Sequence, residues 1–199
     1  MPSRSRIDRG IDAEVRKDAR VGAWLVAVLL ASTIPIEARG QLDHGFDGTY
    51  LFAGGEAEKV SHRKSLETAV EELNPLFRRI GLRALGQYLR IPRYVVFKSC
   101  ADRLTIVLDP FPPRHSTIDG APSTFKTVSG DPGSIRRVIM GRSIVETVVT
   151  GKNRRVITYS FDESYTRLTQ TWHVEVPRYL KKTIRFKLSY RRRIDAQTL

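Results

Sequence analysis

The order of apolar and polar positions divides the chain into an early apolar run, a helical stretch and a long succession of strands. A short apolar and aromatic segment, Asp47 to Phe52, predicts a first strand that Gly54 and Gly55 close. From residue 56 to 89, apolar residues recur at spacings of three and four, as in an amphipathic helix. The series comprises Leu66, Val70, Leu73, Phe77, Ile80 and Ala84. Because the series keeps its phase, we expect one buried face along the whole stretch.

Pro75 lies inside the helical stretch. A proline is tolerated in the first turn of a helix but kinks or breaks a helix interior, and it disfavours helix at the preceding residue. The sequence therefore predicts either two helices, with Pro75 opening the second, or one kinked helix.

After Pro92 the helical period ends and short apolar runs follow one another, separated by glycine- and proline-rich turns. The predicted strands are 94–98, 104–108, 123–128, 135–140, 143–150, 155–161, 168–176 and 183–191. The last two alternate strictly between apolar and polar positions. Strands at such short intervals, with no helices between the later ones, favour an antiparallel barrel or sandwich over parallel βαβ units.

The element order resembles that of the calycins, and most of all their fatty-acid-binding-protein branch. The residues that carry the resemblance are Gly48-Thr49-Tyr50-x-Phe52 in the first strand, Asp119-Gly120 in a central turn and 185–190 in the last strand. The resemblance spans about residues 46–192 and implies an up-and-down antiparallel β-barrel of nine or ten strands. It also implies a helical lid, at about residues 58–89, inserted after the first strand. The order of helices followed by a meander of strands also resembles that of a group of small exported bacterial proteins.

The chain departs from the family at two places. After Phe52 it continues with Ala53-Gly54-Gly55-Glu56, where the family carries Asn or His, an aromatic residue and an acid. The family binds a ligand carboxylate through Arg-x-Tyr on the last strand, and alignment on Tyr190 places Leu188 at the arginine. The resemblance therefore implies the barrel without this device for binding a carboxylate.

The segment from Val21 to Ile34 carries no charge and is too short for a permanent membrane anchor. Basic residues precede it and small residues follow it, with Ala38 and Gly40 as candidate cleavage positions. This order predicts an export signal with a long polar leader over 1–40, followed by one domain over 41–199. We therefore expect a periplasmic or secreted protein.

Composition and charge narrow the classes of function. The chain has 199 residues, with 34 Lys and Arg against 21 Asp and Glu, and a formal net charge of +13. Eight basic residues and no acid stand between Pro177 and Ile194. A basic segment is either a solvated outer face or a contact for an anionic lipid or another polyanion, for which we single out Arg185, Lys187, Arg191, Arg192 and Arg193. Export and the lack of a recognition helix argue against nucleic acid as the partner.

Residues that could carry catalysis are sparse. The four histidines have no metal-ligand spacing, and the sequence contains neither H-E-x-x-H nor G-x-S-x-G. The single cysteine, Cys100, excludes an internal disulfide and is interpreted as a small buried residue at a strand end. We therefore expect no metal, no cofactor and no catalytic residue.

A barrel interior must be filled by side chains or by a ligand. The alternating strands predict an inward set of Tyr159, Gln170, Trp172, Phe186 and Tyr190. If the barrel is hollow, these residues line a ligand site in which Gln170 orients the polar end of the ligand. The helical residues Leu73, Phe77 and Ile80 would then form the lid at one end.

Three functions follow from the sequence. The preferred one is an exported, non-enzymatic protein that holds a small apolar or amphipathic, lipid-like ligand in its barrel. The alternative is a structural or interaction module with a filled barrel, which docks on an anionic envelope surface through its basic last strand. The third is a metal-free isomerase or lyase, which requires a strongly perturbed acid or base inside the barrel.

Overall fold

The computed structural model describes residues 44–127 and 130–194. All of the described elements belong to one compact unit, Leu42–Leu199. The predicted export signal over residues 1–40 lies outside the described residues.

The described chain forms a short 3-10 helix at His44–Phe46, two α-helices and ten strands. The helices are α1 (Gly55–Val70) and α2 (Pro75–Tyr88). The strands are β1 (Gly48–Phe52), β2 (Tyr94–Cys100), β3 (Arg103–Leu108), β4 (Arg114–Thr117), β5 (Ser123–Lys126), β6 (Pro132–Met140), β7 (Ser143–Thr150), β8 (Asn153–Phe161), β9 (Arg167–Glu175) and β10 (Ile184–Arg192).

All ten strands belong to one antiparallel sheet in the order β4-β3-β2-β1-β10-β9-β8-β7-β6-β5. Strand β1 lies between β2 and β10, which joins the start of the described chain to its end. The edge strands β4 and β5 approach each other, and β4 also lies against β6, so the sheet curls into a nearly closed barrel. The predicted mainly β fold, an antiparallel barrel with a helical insertion after the first strand, is confirmed.

Alternation of side chains fixes which face of each strand points inward. In β10, every second residue from Ile184 to Tyr190 is buried, while Arg185 and Lys187 are exposed. The same two-residue period runs through β8 and β9. The apolar set is therefore inside the barrel, as the strict alternation in the sequence predicts.

Aromatic rings fill one end of the barrel. Phe161, the last residue of β8, lies 5.2 Å from Phe97, 5.6 Å from Tyr50 and 5.8 Å from Phe46 between ring centroids. The Tyr50 hydroxyl donates to the carbonyl oxygen of Phe46 at 3.2 Å. This packing closes the barrel at the end where β8 finishes.

The helical stretch forms two helices, and Pro75 is the first residue of the second, as one of the two predicted arrangements requires. Asn74 caps α2 by accepting a hydrogen bond from the backbone N–H of Leu76 at 3.1 Å.

Helix α1 packs on β10: the His62 ring lies edge-on to Phe186 at 4.6 Å. The Glu58 carboxylate accepts hydrogen bonds from the Ser189 backbone N–H and hydroxyl.

The expectation of one buried face along both helices is wrong. Leu66 and Val70 of α1 are buried, but Phe77 and Ile80 of α2 are 58% and 66% exposed. The chain leaves helical geometry between the two helices, so α2 does not extend the face of α1. Among the described residues, α2 contains no buried side chain.

Two local expectations also differ from the structure. Strand β4 is not predicted, because its four residues, Arg-His-Ser-Thr, carry no apolar alternation and follow a proline-rich turn. Cys100, expected to be buried, is exposed. It is the last residue of β2, directly before Ala101, which has φ of 50° in the turn to β3. Cys100 shares a face of β2 with the exposed Lys98, opposite to the buried Val95 and Phe97, so its side chain meets solvent.

Over the described residues, neither helix combines the length and the apolar character needed to cross a membrane.

Candidate functional site

A cavity of about 640 Å³ lies at the end of the barrel where β8 begins, between α2 and the barrel rim. Its lining is mostly apolar side chains from α2 and from the loop between β9 and β10. The lining residues are Leu73, Asn74, Phe77, Ile80, Gly81, Ala84, Leu85, Tyr88, Asn153, Val176, Tyr179 and Leu180. We call this space the mouth cavity. Its volume falls within the range of about 300–1,000 Å³ that small-molecule sites occupy.

Helix α2 packs against the barrel rim through side chains that are only partly buried. Leu82 and Leu85 are partly buried against the core, while Phe77 and Ile80 on the neighbouring face remain exposed. The start of α2 is tied to the preceding turn, because the Arg78 guanidinium donates to the carbonyl oxygen of Leu73 at 3.1 Å. The helix therefore presents an apolar face to open space above the barrel.

The opposite wall of the mouth cavity is the loop between β9 and β10. Its backbone turns because the carbonyl oxygen of Val176 accepts from the N–H groups of Tyr179 and Leu180, each at 2.9 Å. The Glu72 carboxylate accepts from the backbone N–H of Lys181 at 2.8 Å. Glu72 thus fixes the loop against the segment that joins the two helices, and so holds the two walls of the cavity together.

The three predicted lid residues, Leu73, Phe77 and Ile80, all line the mouth cavity. They lie at one end of the barrel, where the sequence places a lid. Their role in gating stays a prediction.

The five predicted ligand-lining residues all face the barrel interior. Tyr159, Gln170 and Trp172 have no exposed surface, Tyr190 is 1% exposed and Phe186 is 6% exposed. The Trp172 Nε1–H donates to Gln170 Oε1 at 2.9 Å, and the Trp172 ring stacks on Phe186 at 5.3 Å. None of the five lines the mouth cavity, which lies nearer the rim. Their role in binding a ligand stays a prediction.

A charged group also lies in the interior, in the part of the barrel below the rim. Arg137 of β6 is fully buried, and its Nε and Nη2 donate to Glu146 Oε2 at 2.9 and 2.8 Å. Its Nη1 donates to the carbonyl oxygen of Leu104 at 2.7 Å and to that of Arg114 at 3.1 Å. Arg137 therefore has partners for its guanidinium on strands β3, β4 and β7.

Arg155 of β8 is bound less completely. It is 3% exposed, and its Nη2 lies 3.6 Å from Glu146 Oε1. Its guanidinium lies over the Trp172 ring at 5.3 Å from the ring centroid. The Nε and Nη2 atoms of Arg155 are buried and have no hydrogen-bond partner among the described residues, and the same holds for Arg114 Nη1. We call Arg114, Arg137, Glu146 and Arg155 the interior charge cluster.

Three titratable groups in this region, Glu146, Arg114 and Tyr159, have shifted pKa values. Burial opposes ionisation of Glu146, but the positive charges of Arg137 and Arg155 outweigh it and lower the pKa of this carboxyl. Burial lowers the pKa of Arg114, and the nearby Arg155 charge lowers it further. Burial raises the pKa of Tyr159 well above its ordinary value, so this hydroxyl keeps its proton.

These shifts bear on the chemistry of the site. The hypothesis of a metal-free isomerase or lyase requires a strongly perturbed acid or base inside the barrel. Glu146 is a buried carboxylate there, yet it stays ionised and bound to Arg137. A general acid or base works best with a pKa near the operating pH, which neither Glu146 nor Tyr159 has. Within residues 44–127 and 130–194, no three His, Cys, Asp or Glu side chains group closely enough to hold a metal ion.

Sequence reasoning missed the interior charge cluster. A signal was present in the spacing. Arg137 lies two residues after Ile135, and Glu146 lies two residues from both Ile144 and Val148, so each charged residue shares the apolar face of its strand. A charged residue on the apolar face of an alternating strand points into the barrel. Arg137 and Glu146 face each other across the neighbouring strands β6 and β7. The sequence could not show that Leu104 and Arg114 meet Arg137, since β3 and β4 are distant from β6 along the chain.

The predicted basic surface is mostly exposed. Arg185, Lys187, Arg191 and Arg193 are exposed on or just after β10. Arg192 is half-buried and donates to the carbonyl oxygens of Gly45 and Asp47, so it also holds the start of the described chain.

A second cavity, of about 310 Å³, lies between α1 and the start of β10. Its lining is Ser61, Lys64, Ser65, Thr68, Ala69, Lys182, Thr183, Ile184 and Arg185.

The element order matches the arrangement implied by the resemblance, with two helices after the first of ten strands. The fold is a fatty-acid-binding-protein-like barrel. No protein-family model matches the sequence, and no curated protein matches it at a significant level.

Several solved structures are similar to this barrel in their fold. A Schistosoma mansoni fatty acid binding protein in complex with arachidonic acid is 19% identical, with a TM-score of 0.44 over 76% of this chain and 97% of that chain. Apo lipid binding protein 8 of Caenorhabditis elegans is 10% identical, with a TM-score of 0.48 over 76% and 97%. Fatty-acid-binding protein 1 of Echinococcus granulosus is 10% identical, with a TM-score of 0.45 over 76% and 99%.

Proposed function

We propose that this protein binds a small apolar or amphipathic, lipid-like molecule and catalyses no reaction on it. The observation that carries the proposal is the mouth cavity, with its apolar lining and its volume of about 640 Å³. An apolar ligand in this space removes its own surface and that of Phe77 and Ile80 from water. Burial of apolar area is favourable by roughly 25 cal/mol per Å².

The polar side chains around the mouth cavity support binding rather than catalysis. They belong to Asn74, Asn153, Tyr88 and Tyr179. Amides do not titrate, and a tyrosine has an ordinary pKa of about 10, so none of these groups is suited to proton transfer near neutral pH. They are suited to orienting the polar end of a ligand.

The first experiment is native mass spectrometry of the protein purified without detergent, followed by titration with a fluorescent fatty-acid analogue. We expect an added mass that denaturation removes, or saturable binding of the probe to the empty protein. A protein that carries no added mass and does not bind the probe would contradict the proposal.

Two tryptophan substitutions on α2 locate the binding site. Ala84→Trp places an indole in the mouth cavity, and we expect the affinity for the probe to fall by about tenfold or more. Gln87→Trp is the matched control, because Gln87 is exposed on the same helix and does not line the cavity. Equal affinities of the two variants would place the probe elsewhere.

We also propose that the protein is exported, on the basis of the basic, apolar and small residues in order over 1–40. The measurement is cell fractionation with N-terminal sequencing of the product. We expect an exported chain that begins after Ala38 or Gly40, and an uncleaved chain in the cytosol would contradict the proposal.

The second candidate function is docking on an anionic surface. It is favoured by the exposed Arg185 and Lys187 beside the second cavity, which Lys64 and Lys182 also line. The test is sedimentation with vesicles of phosphatidylglycerol and, separately, of phosphatidylcholine. Docking requires binding to the anionic vesicles alone and its loss in an Arg185→Gln, Lys187→Gln variant.

A further inference from the structure

The wall of the mouth cavity is built without a charged side chain among the described residues. Its polar side chains are those of Asn74, Asn153, Tyr88 and Tyr179, and the other lining residues are apolar or glycine. Amide and phenol groups are neutral at pH 7. The wall therefore offers a bound molecule hydrogen bonds but no ion-pair partner.

The cations of the barrel interior do not supply this partner, because none of them lines the mouth cavity. Arg137 and Arg155 are buried and form ion pairs with Glu146. The guanidinium of Arg114 lies over the ring of Phe125, at 4.8 Å from the ring centroid. A molecule in the mouth cavity therefore does not touch the interior charge cluster.

A neutral wall discriminates against a charged ligand. A carboxylate that leaves water without gaining a cation costs several kcal/mol, so it must stay outside the cavity or take up a proton. An ion pair with an exposed cation at the rim returns only about 0–1 kcal/mol, and salt screens it further. A fatty acid therefore uses the cavity less well than an uncharged molecule with the same tail.

The polar side chains of the wall suit an uncharged polar end. An amide and a phenol hydroxyl both donate and accept hydrogen bonds, as does the hydroxyl of an alcohol. Asn74 accepts from the Leu76 backbone N–H through Oδ1, and its amide N–H groups can still donate. A hydroxyl or ester that leaves water can therefore exchange its bonds to water for bonds to the wall.

We propose that the ligand is an uncharged lipid, of the class of long-chain alcohols and their esters, with both its tail and its polar end in the mouth cavity. This inference rests on the proposed function, since it names the class of ligand for the same site. The whole chain carries a formal net charge of +13, which by itself attracts anions. The neutral wall and the net charge therefore predict opposite orders of affinity.

The test compares three ligands with the same ten-carbon tail, by calorimetry on the full chain at pH 8 and physiological salt. The ligands are decanol, decanoate and decyltrimethylammonium. We expect decanol to bind about tenfold more tightly than either charged ligand, because each 1.4 kcal/mol of binding free energy gives a factor of ten. If the net charge decided, decanoate would bind most tightly and decyltrimethylammonium least.

The pH dependence gives a second readout. A carboxyl group has an ordinary pKa of about 4.3, so more of the decanoate in solution carries a proton as the pH falls from 8 to 5. If the cavity takes the neutral acid, the apparent affinity for decanoate rises over this range, while that for decanol stays constant. An affinity for decanoate that does not rise would show that the ionised form binds, and would overturn the inference.

A substitution in the wall should reverse the preference. Asn153 is half-buried at the start of β8 and lines the cavity, so Asn153→Lys brings an ammonium group to the wall. We expect the affinity for decanoate to rise by about tenfold and that for decyltrimethylammonium to fall. Gln87→Lys is the matched control, because it adds the same charge at an exposed position of α2 outside the cavity.

The outcomes separate this inference from the proposed function. Equal affinities for the three ligands, or tighter binding of decanoate than of decanol, would overturn the uncharged class and leave the lipid-binding function standing. Failure of all three ligands to bind would overturn both. If Asn153→Lys and Gln87→Lys raise the affinity for decanoate equally, the polar end does not lie at the wall of the mouth cavity and the inference is wrong.

Discussion

Glu146 is held in the barrel interior by charge and geometry together. Its Oε2 accepts two hydrogen bonds from Arg137, and its Oε1 faces Arg155. A buried carboxylate without these guanidinium groups would take up a proton, because burial penalises its charged form. The arginines in turn depend on Glu146, because it supplies the close negative charge in the interior charge cluster.

The substitution Glu146→Gln should lower the free energy of unfolding by about 3 kcal/mol or more at pH 7, because it leaves buried arginines without a counter-charge. The measurement is urea denaturation. The control Glu163→Gln removes an 88% exposed side chain that lies 3.5 Å from Arg142, and it should change stability by less than about 0.5 kcal/mol.

The stabilisation by Glu146 should depend on pH with a definite sign. The pKa of Glu146 is lower in the folded protein than its ordinary value of 4.5. Its contribution is therefore fully present above that value and is lost as the pH falls through the folded pKa. The difference in stability between the wild type and Glu146→Gln should shrink in this acid range. A difference that stays constant down to the acid unfolding transition would contradict this account.

At the scale of elements, α2 differs from the rest of the fold. It contains none of the buried side chains of the described chain, and its contacts with the core are made by partly buried residues such as Leu82 and Leu85. Segments with few buried apolar contacts open locally at low free energy. We therefore expect α2 to move away from the rim more readily than any barrel strand leaves the sheet, which gives a ligand access to the mouth cavity.

Two glycines of α2 offer a test of how its stability controls access. A Cβ at Gly86 would meet no atom within 4 Å, so Gly86→Ala should stabilise the helix by about 0.5–1 kcal/mol. A Cβ at Gly81 would lie 2.6 Å from Leu73 Cδ1, so Gly81→Ala should gain less, because Leu73 must move. Hydrogen exchange of the α2 amides measures both effects. Faster exchange in Gly86→Ala than in the wild type would show that this view of α2 is wrong.

At the scale of the whole molecule, closure of the barrel depends on a side chain. The hydrogen-bonded sheet ends at β4 and β5, and Arg137 of β6 reaches across to the other end of the sheet. Its Nη1 donates to the carbonyl oxygen of Leu104 in β3, and to the carbonyl oxygen of Arg114 and the hydroxyl of Ser116 in β4. One guanidinium thus joins the two ends of the sheet through the interior.

Arg137→Lys should open this junction. An ammonium group keeps the charge but cannot contact Glu146 and both strands at once as the planar guanidinium does, so we expect a loss of about 3 kcal/mol in unfolding free energy. Amide exchange in β4 should accelerate with it. Arg136→Lys is the control, because Arg136 is the exposed neighbour on β6. Similar effects of the two substitutions would refute the role of Arg137 in closure.

Local patterns in the sequence were enough to predict the architecture. Alternation over β8, β9 and β10 fixes which residues face inward, since neighbouring side chains of a strand point to opposite faces. The change from a period of about 3.6 to a period of two locates the helical insertion after β1, and Pro75 marks the start of α2. These features depend on residues that are only a few positions apart, so they can be predicted without the tertiary structure.

The tertiary structure alone decided where the cavity lies and which charges meet. Phe77 and Ile80 follow the helical period of a buried face, but the break before α2 turns them to the open rim. Arg137 and Glu146 face each other across neighbouring strands, but Leu104 and Arg114 are distant from them in sequence, and the curl of the sheet brings these residues to one place. The sequence by itself determined most of the strands with their inward faces, and the place of the helical insertion, because those are set by local periodicity. The site depended on closure of the barrel, because contacts between distant strands exist only once the sheet has curled.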